Sequence, residues 1–198
     1  MTDGELAKIT AQSAADVCRL FDLEEASQAW LQEDSRPGEF LNILQAEEQH
    51  TDAIRFLAHA LPKREAVWWA CVCASQALGS EARQETRQAL ERAEQWVRKP
   101  NEENRQLTMP AAEAAGFETP AGWAAVAAFW SGGSLTPTGS PAVAPAADLT
   151  AKAVAGGVML SAVAFEPEQA NEHYRVFLAQ GIDIANGGSG KLPVSPQA

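Results

Sequence analysis

A chain of 198 residues, 46% of them apolar, is long enough to bury a core and too apolar to stay unfolded. Its net charge of −11 repels phosphate backbones and anionic head groups, which excludes nucleic acid and membrane surfaces from the expected partners. The opening Met1-Thr2-Asp3-Gly4-Glu5 has neither a basic region nor an apolar run and does not read as a signal peptide.

Helical periodicity dominates the rest of the chain, and strand-like alternation is nearly absent. Ser13-x-x-Asp16 and Asp22-x-x-Glu25 both read as helix starts, with a side chain able to cap and an acid in the first turn. They predict short helices over 14–21 and 23–33, the second carrying Trp30. Pro37-Gly38 separates them from a third helix with Phe40, Leu41 and Leu44 inward. Ile54, Leu57, Ala58 and Leu61 recur at i, i+3, i+4 and i+7, which makes a fourth amphipathic helix. Pro62 opens the next, where its missing N–H does no harm. Over 65–78 apolar residues surround the whole helix, so this one is expected at the centre of the core, ended by Gly79.

A long amphipathic helix is predicted over 80–99, with Ala82, Ala89, Leu90, Ala93, Trp96 and Val97 inward and a solvated run of Glu and Arg outward. Asn101 caps a helix reaching about Ala115, and Pro110 within it predicts a kink or a division. Gly116 reads as a C-cap, and Thr119-Pro120 as an N-cap with proline at the first helical position. Trp123, Val126, Ala127 and Trp130 form the inward stripe of that helix. Over 131–147 Gly, Ser and three prolines, Pro137, Pro141 and Pro145, predict a long extended surface loop. Helices over 150–165 and 168–185 complete the chain. In the first, Ala153, Gly157 and Ser161 recur every four residues, which allows close helix packing or, alternatively, an apolar surface for a partner.

The expected fold is therefore all-α: a single domain of about eight to ten helices packed as antiparallel pairs over 1–186, then a flexible tail over 187–198. The expected core comprises Leu57, Val67, Trp69, Cys71, Leu90, Trp96, Trp123, Trp130, Val158 and Phe177. No apolar stretch approaches the about 20 residues that span a bilayer, so no membrane span is expected, and the chain reads as cytoplasmic.

Chemistry is sparse. Cys71 and Cys73 stand two apart on a helix and face apart, so they and Cys18 read as reduced thiols rather than a metal or redox pair. Glu47-x-x-His50 is half of a di-iron carboxylate motif, but Ala170 stands three before His173 and the second half is missing. Ser131 lacks the Gly-x-Ser-x-Gly frame of a nucleophile elbow. Gly187-Gly188-Ser189-Gly190-Lys191 resembles the end of a phosphate loop, yet Leu192 and Pro193 stand where a metal-binding hydroxyl and a helix should. No catalytic, metal or cofactor site is expected, and the chain does not read as an enzyme. A small-molecule enzyme would require a pocket where Cys or His meets a carboxylate of shifted pKa.

Two segments, LPKREAVWWAC at 61–71 and AAEAAGFETPAGWAAVAAFWSGGSL at 111–135, resemble an uncharacterised family of small Trp-rich helical proteins from Gram-negative bacteria, over about residues 50–185. The resemblance implies association with type VI secretion loci and a non-enzymatic adaptor or cargo-loading role. The amphipathic helix before an Ala-rich one also resembles helical immunity proteins of toxin loci, the alternative. Either needs a protein partner: a secretion component, an effector or a toxin. The stretch 119–147 has no charged residue and holds the expected partner-binding residues, Trp130 and Leu135.

Overall fold

The structure, a computed structural model, describes residues 6–136, 139–164 and 166–192. The opening Met1 to Glu5, Pro137, Phe165 and the end of the expected tail, 193–198, lie outside the described residues. Among those described, regular structure is entirely helical. The α-helices are α1 (Ala14–Cys18), α2 (Glu25–Gln28), α3 (Pro37–Ala46), α4 (His50–Ala60), α5 (Lys63–Gln76) and α6 (Gln84–Arg98). They continue with α7 (Glu102–Gln106), α8 (Thr108–Ala115), α9 (Pro120–Phe129), α10 (Leu149–Val163) and α11 (Ala170–Ala185). A 3-10 turn, Pro167–Gln169, leads into α11. The helices α1, α2 and α7 are barely more than single turns; the other eight have at least two turns each.

Three of these starts carry the side-chain cap that local chemistry predicts. Ser13 Oγ accepts from Asp16 N–H at 3.2 Å, Asn101 Oδ1 from Asn104 N–H at 2.9 Å and Thr119 Oγ1 from Gly122 N–H at 3.1 Å. Gly116 closes α8 with φ +86°, open to glycine at little cost. The division expected near Pro110 falls just before it, at Leu107, which leaves proline in the first turn of α8. Asp22, however, does not cap α2. That helix begins after Glu24, whose N–H donates at 3.0 Å to Asp52 Oδ2 on α4, a carboxylate 1% exposed. The long helix also starts late, at Gln84, because Arg87 draws the Ser80 carbonyl into a turn at 2.6 Å; Ala82, expected on its inward stripe, therefore lies before the helix and is only partly buried.

The helix α5 lies in the middle, packed against α6, α9, α10 and α11. Neighbours in sequence pack together, as in α3 with α4, α8 with α9 and α9 with α10, but so do distant pairs such as α5 with α10 and α6 with α9. One continuous core runs through them, and Leu57, Val67, Trp69, Cys71, Leu90, Trp96, Val158 and Phe177 are buried in it. Trp123 and Trp130 depart from the expectation. They are half-buried at the core's edge and meet edge to face at 6.4 Å. The fully buried positions of α9 are the small Ala124, Ala125, Ala127 and Ala128, which let neighbouring helices approach closely and leave the bulky indoles at the rim. The stripe Ala153, Gly157 and Ser161 is buried, and a Cβ on Gly157 would lie 3.1 Å from that of Trp123; it is the seam between α9 and α10.

At the C-terminal end, Trp68 Nε1 donates to the Ser189 carbonyl at 2.9 Å. Gly188 N–H donates to the Asp183 carbonyl and Gly190 N–H to Asp183 Oδ2, both at 2.8 Å. The first residues of the expected tail are thus tied to α5 and α11. Of the amides that a phosphate loop would offer, that of Gly190 is taken by a carboxylate and those of Gly187 and Gly188 by main-chain carbonyls.

Candidate functional site

The loop after α9 carries both sequence-predicted partner residues, and it is built from the end of that helix. The last carbonyls of a helix have no partner of their own. Here other elements supply them. Arg105 Nη1 donates to the Phe129 carbonyl at 2.6 Å, Thr150 Oγ1 to that of Trp130 at 3.0 Å and Lys63 Nζ to that of Ser131 at 3.0 Å. Arg105 Nη2 also reaches the Ser134 carbonyl at 3.1 Å, and its guanidinium sits 4.6 Å from the Phe129 ring centroid. Gly133 passes this guanidinium at φ +63°, where a Cβ would come within 2.5 Å of Nη2.

Arg105 is the residue that sequence reading missed. Its side chain is only 4% exposed, and a bidentate pair with Glu102, at 2.6 and 2.7 Å, neutralises it. The hydrogen bond from Arg105 holds the Glu102 carboxyl down at about 2. In the sequence it is one arginine among many on charged helices. The short i, i+3 spacing from Glu102 was the available signal; its target, the end of α9, is visible only in three dimensions.

The loop then closes on itself. Leu135 N–H donates to the Val143 carbonyl at 2.8 Å, and Ser134 Oγ accepts from Thr136 and Val143 N–H, each at 3.1 Å. Trp130 and Leu135 are half-buried, and Val143 beyond them is 49% exposed. The structure places both predicted residues on one clamped segment with an apolar surface partly open to water.

A second feature is a cleft of about 450 Å³ between the residues after α1 and helices α4, α5 and α10, lined by Arg19, Leu20, His59, Lys63 and Asp148. A neighbouring hollow shares Arg19, Leu20 and His59 and adds Arg55 and Lys152. His59 Nδ1 lies 2.7 Å from the Arg55 carbonyl, which places the proton there and leaves Nε2 a lone pair without a partner among the described residues. Burial pushes its pKa down, so the ring is neutral. Asp148 is held ionised by the hydrogen bond from Lys152 at 2.6 Å.

Histidine and carboxylate thus share a cleft, as an enzyme would need, but a nucleophile is lacking among its lining residues. The one hydroxyl there, Thr150, is committed to Trp130. Cys18 borders an adjoining hollow, and burial beside Asp52 pushes its thiol up to about 12, so it stays protonated. Cys71 and Cys73 are fully buried and shifted upward for the same reason. Among the described residues no three of His, Cys, Asp and Glu gather in a way that could hold a metal ion, and no single helix is long and apolar enough to cross a membrane.

Residues 40–185 match the model of a family of unknown function, DUF6931. The chain belongs to this family. The match begins within α3 and ends with α11, so Arg105, the clamped loop and the α10 wall of the cleft fall inside it. Arg19 and Leu20, which close the cleft from the other side, fall outside it. Neither a curated protein nor a solved structure matches the chain.

Proposed function

We propose that this member of the DUF6931 family is a non-enzymatic binding or adaptor protein that docks a protein partner through the uncharged stretch 119–147. The observation that carries the reading is the clamp on the end of α9. Arg105, Lys63 and Thr150 fix the backbone on which Trp130 and Leu135 stand, so little ordering entropy is lost when a partner covers them. Half-exposed tryptophan on a rigid frame is the composition of a binding hot spot. The free His59 lone pair is the strongest feature for catalysis, but its cleft offers no activated nucleophile, which favours binding over chemistry.

The finer assignment, an accessory factor of type VI secretion in a Gram-negative cytoplasm, rests on the resemblance in segments 61–71 and 111–135. Affinity purification from the native host tests it. A secretion component or effector should co-purify with the wild-type chain and be lost with Trp130→Ala; recovery of neither class of protein removes the assignment. The net charge of −11 favours a second reading, an immunity protein neutralising a basic toxin. In that case deletion of the gene is toxic only while the neighbouring toxin is intact, and a harmless deletion beside an active toxin rules it out.

A further inference from the structure

The loop presents an open main-chain edge. Residues 134–136 and 141–143 lie side by side, joined by Leu135 N–H to the Val143 carbonyl, Val143 N–H to Ser134 Oγ and Thr136 Oγ1 to the Pro141 carbonyl, the last at 2.7 Å. Each bond uses a main-chain group of Pro141 or Val143. The stretch 141–146 runs without turn or bend, and successive residues of an extended chain direct their N–H and C=O to opposite edges. Ala142 and Ala144 therefore turn theirs outward, and no hydrogen bond from the described residues reaches them. The prolines, Pro141 and Pro145, occupy inward positions, so the outward edge keeps its N–H groups. Ala142, Val143, Ala144 and Ala146 are all exposed. Proteins usually blunt such an edge with charge, but no charged side chain stands between Glu118 and Asp148.

We propose that the edge at 142–144 takes one extended segment of a second, net-basic protein, paired main chain to main chain; beyond it the Ala146 carbonyl is already taken by Leu149 N–H at 3.2 Å. This rests on the docking role given to 119–147 and names the binding mode. Charge selects the occupant. Two copies of a chain carrying −11 repel each other, whereas a basic protein is drawn in and then meets a neutral edge with no like or unlike charge to desolvate. Main-chain pairing provides affinity, and Val143, Leu135 and Trp130 offer apolar contact to alternate side chains of the incoming segment.

The probe is a synthetic nonapeptide of alternating lysine and valine, titrated into isotope-labelled full-length protein, beside the same peptide N-methylated at alternate residues. The expected result is saturable amide shifts at Ala142 and Ala144 with the plain peptide alone. Ala144→Pro, an exposed position, should bind about tenfold more weakly, and Pro145→Ala should bind normally. Shifts confined to Trp130 and Leu135, or equal binding of the methylated peptide, overturn strand pairing and leave the docking surface standing. No shift at millimolar peptide overturns both. A dimer of the free protein in sedimentation that Ala144→Pro dissolves assigns the edge to a second copy and overturns the basic partner.

Discussion

A single guanidinium holds the end of α9, the adjoining loop and α7 in one arrangement. Arg105 is buried, so any replacement leaves the Phe129 and Ser134 carbonyls to find other donors. Hydrogen bonds from a charged donor contribute about 1.5–3 kcal/mol. Arg105→Met should therefore lower unfolding stability by about 2–3 kcal/mol in urea titrations. Arg105→Lys should recover little, since an ammonium has no planar fork. Wild-type stability in both variants would show that the clamp contributes nothing. His50 gives a prediction in pH. It is 7% exposed with Nδ1 unpartnered among the described residues; burial lowers its pKa, Arg175 adds to the shift and Glu48 opposes it. Arg175 pairs with Glu48 on one side, and the Tyr174 ring lies 6.1 Å away on the other. A histidine with a depressed folded pKa binds more protons when unfolded, so stability falls as pH drops below about 6.5. His59, also shifted down by burial, contributes a slope of the same sign. Acid unfolding profiles of His50→Leu should therefore become shallower, and those of a His50→Leu, His59→Leu double variant shallower still; an unchanged slope in the single variant would place the effect elsewhere.

At the scale of elements, α11 reaches the centre of the molecule through a glycine. Trp69 is fully buried on α5, and its Nε1 donates to the Phe177 carbonyl on α11 at 2.8 Å. A Cβ on Gly181, one turn further along, would stand 2.7 Å from the Trp69 ring and 2.6 Å from Leu57. Both neighbours are fully buried and have no room to retreat. Gly181→Ala should then cost about 1–3 kcal/mol by overpacking, although alanine is the better helix former. A more stable variant in thermal unfolding would mean that α11 can shift outward freely. The glycine was invisible as a packing residue in the sequence, where it interrupts an otherwise ordinary amphipathic helix. The central place of α5 was legible, because apolar residues on every side leave a helix no solvent face.

For the whole molecule, function turns on whether the end of α9 is core or surface. Trp130 is neither fully buried nor free, and its carbonyl is held by Thr150 independently of the indole. Trp130→Ala should accordingly lose less than the about 3–5 kcal/mol typical of a fully buried aromatic while abolishing partner capture. Loss of the fold would return Trp130 to the core and remove it as a binding residue. The cleft at His59 joins residues inside and outside the family match, so the hollow as a whole need not be shared by relatives.

The helical class, most caps and the buried stripes were determined by the sequence alone, because they depend on contacts within four residues and on a period of 3.6. Ser13, Asn101 and Thr119 cap where a local reading puts them. Apart from the late start of α6, set by Arg87 seven residues beyond Ser80, the failures share one cause. Asp52 reaching Glu24, Arg105 reaching Phe129 and Trp68 reaching Ser189 are contacts between residues far apart in the chain. Only the tertiary structure decided them, since a side chain's partner across the core depends on how whole helices pack and not on its neighbours in sequence.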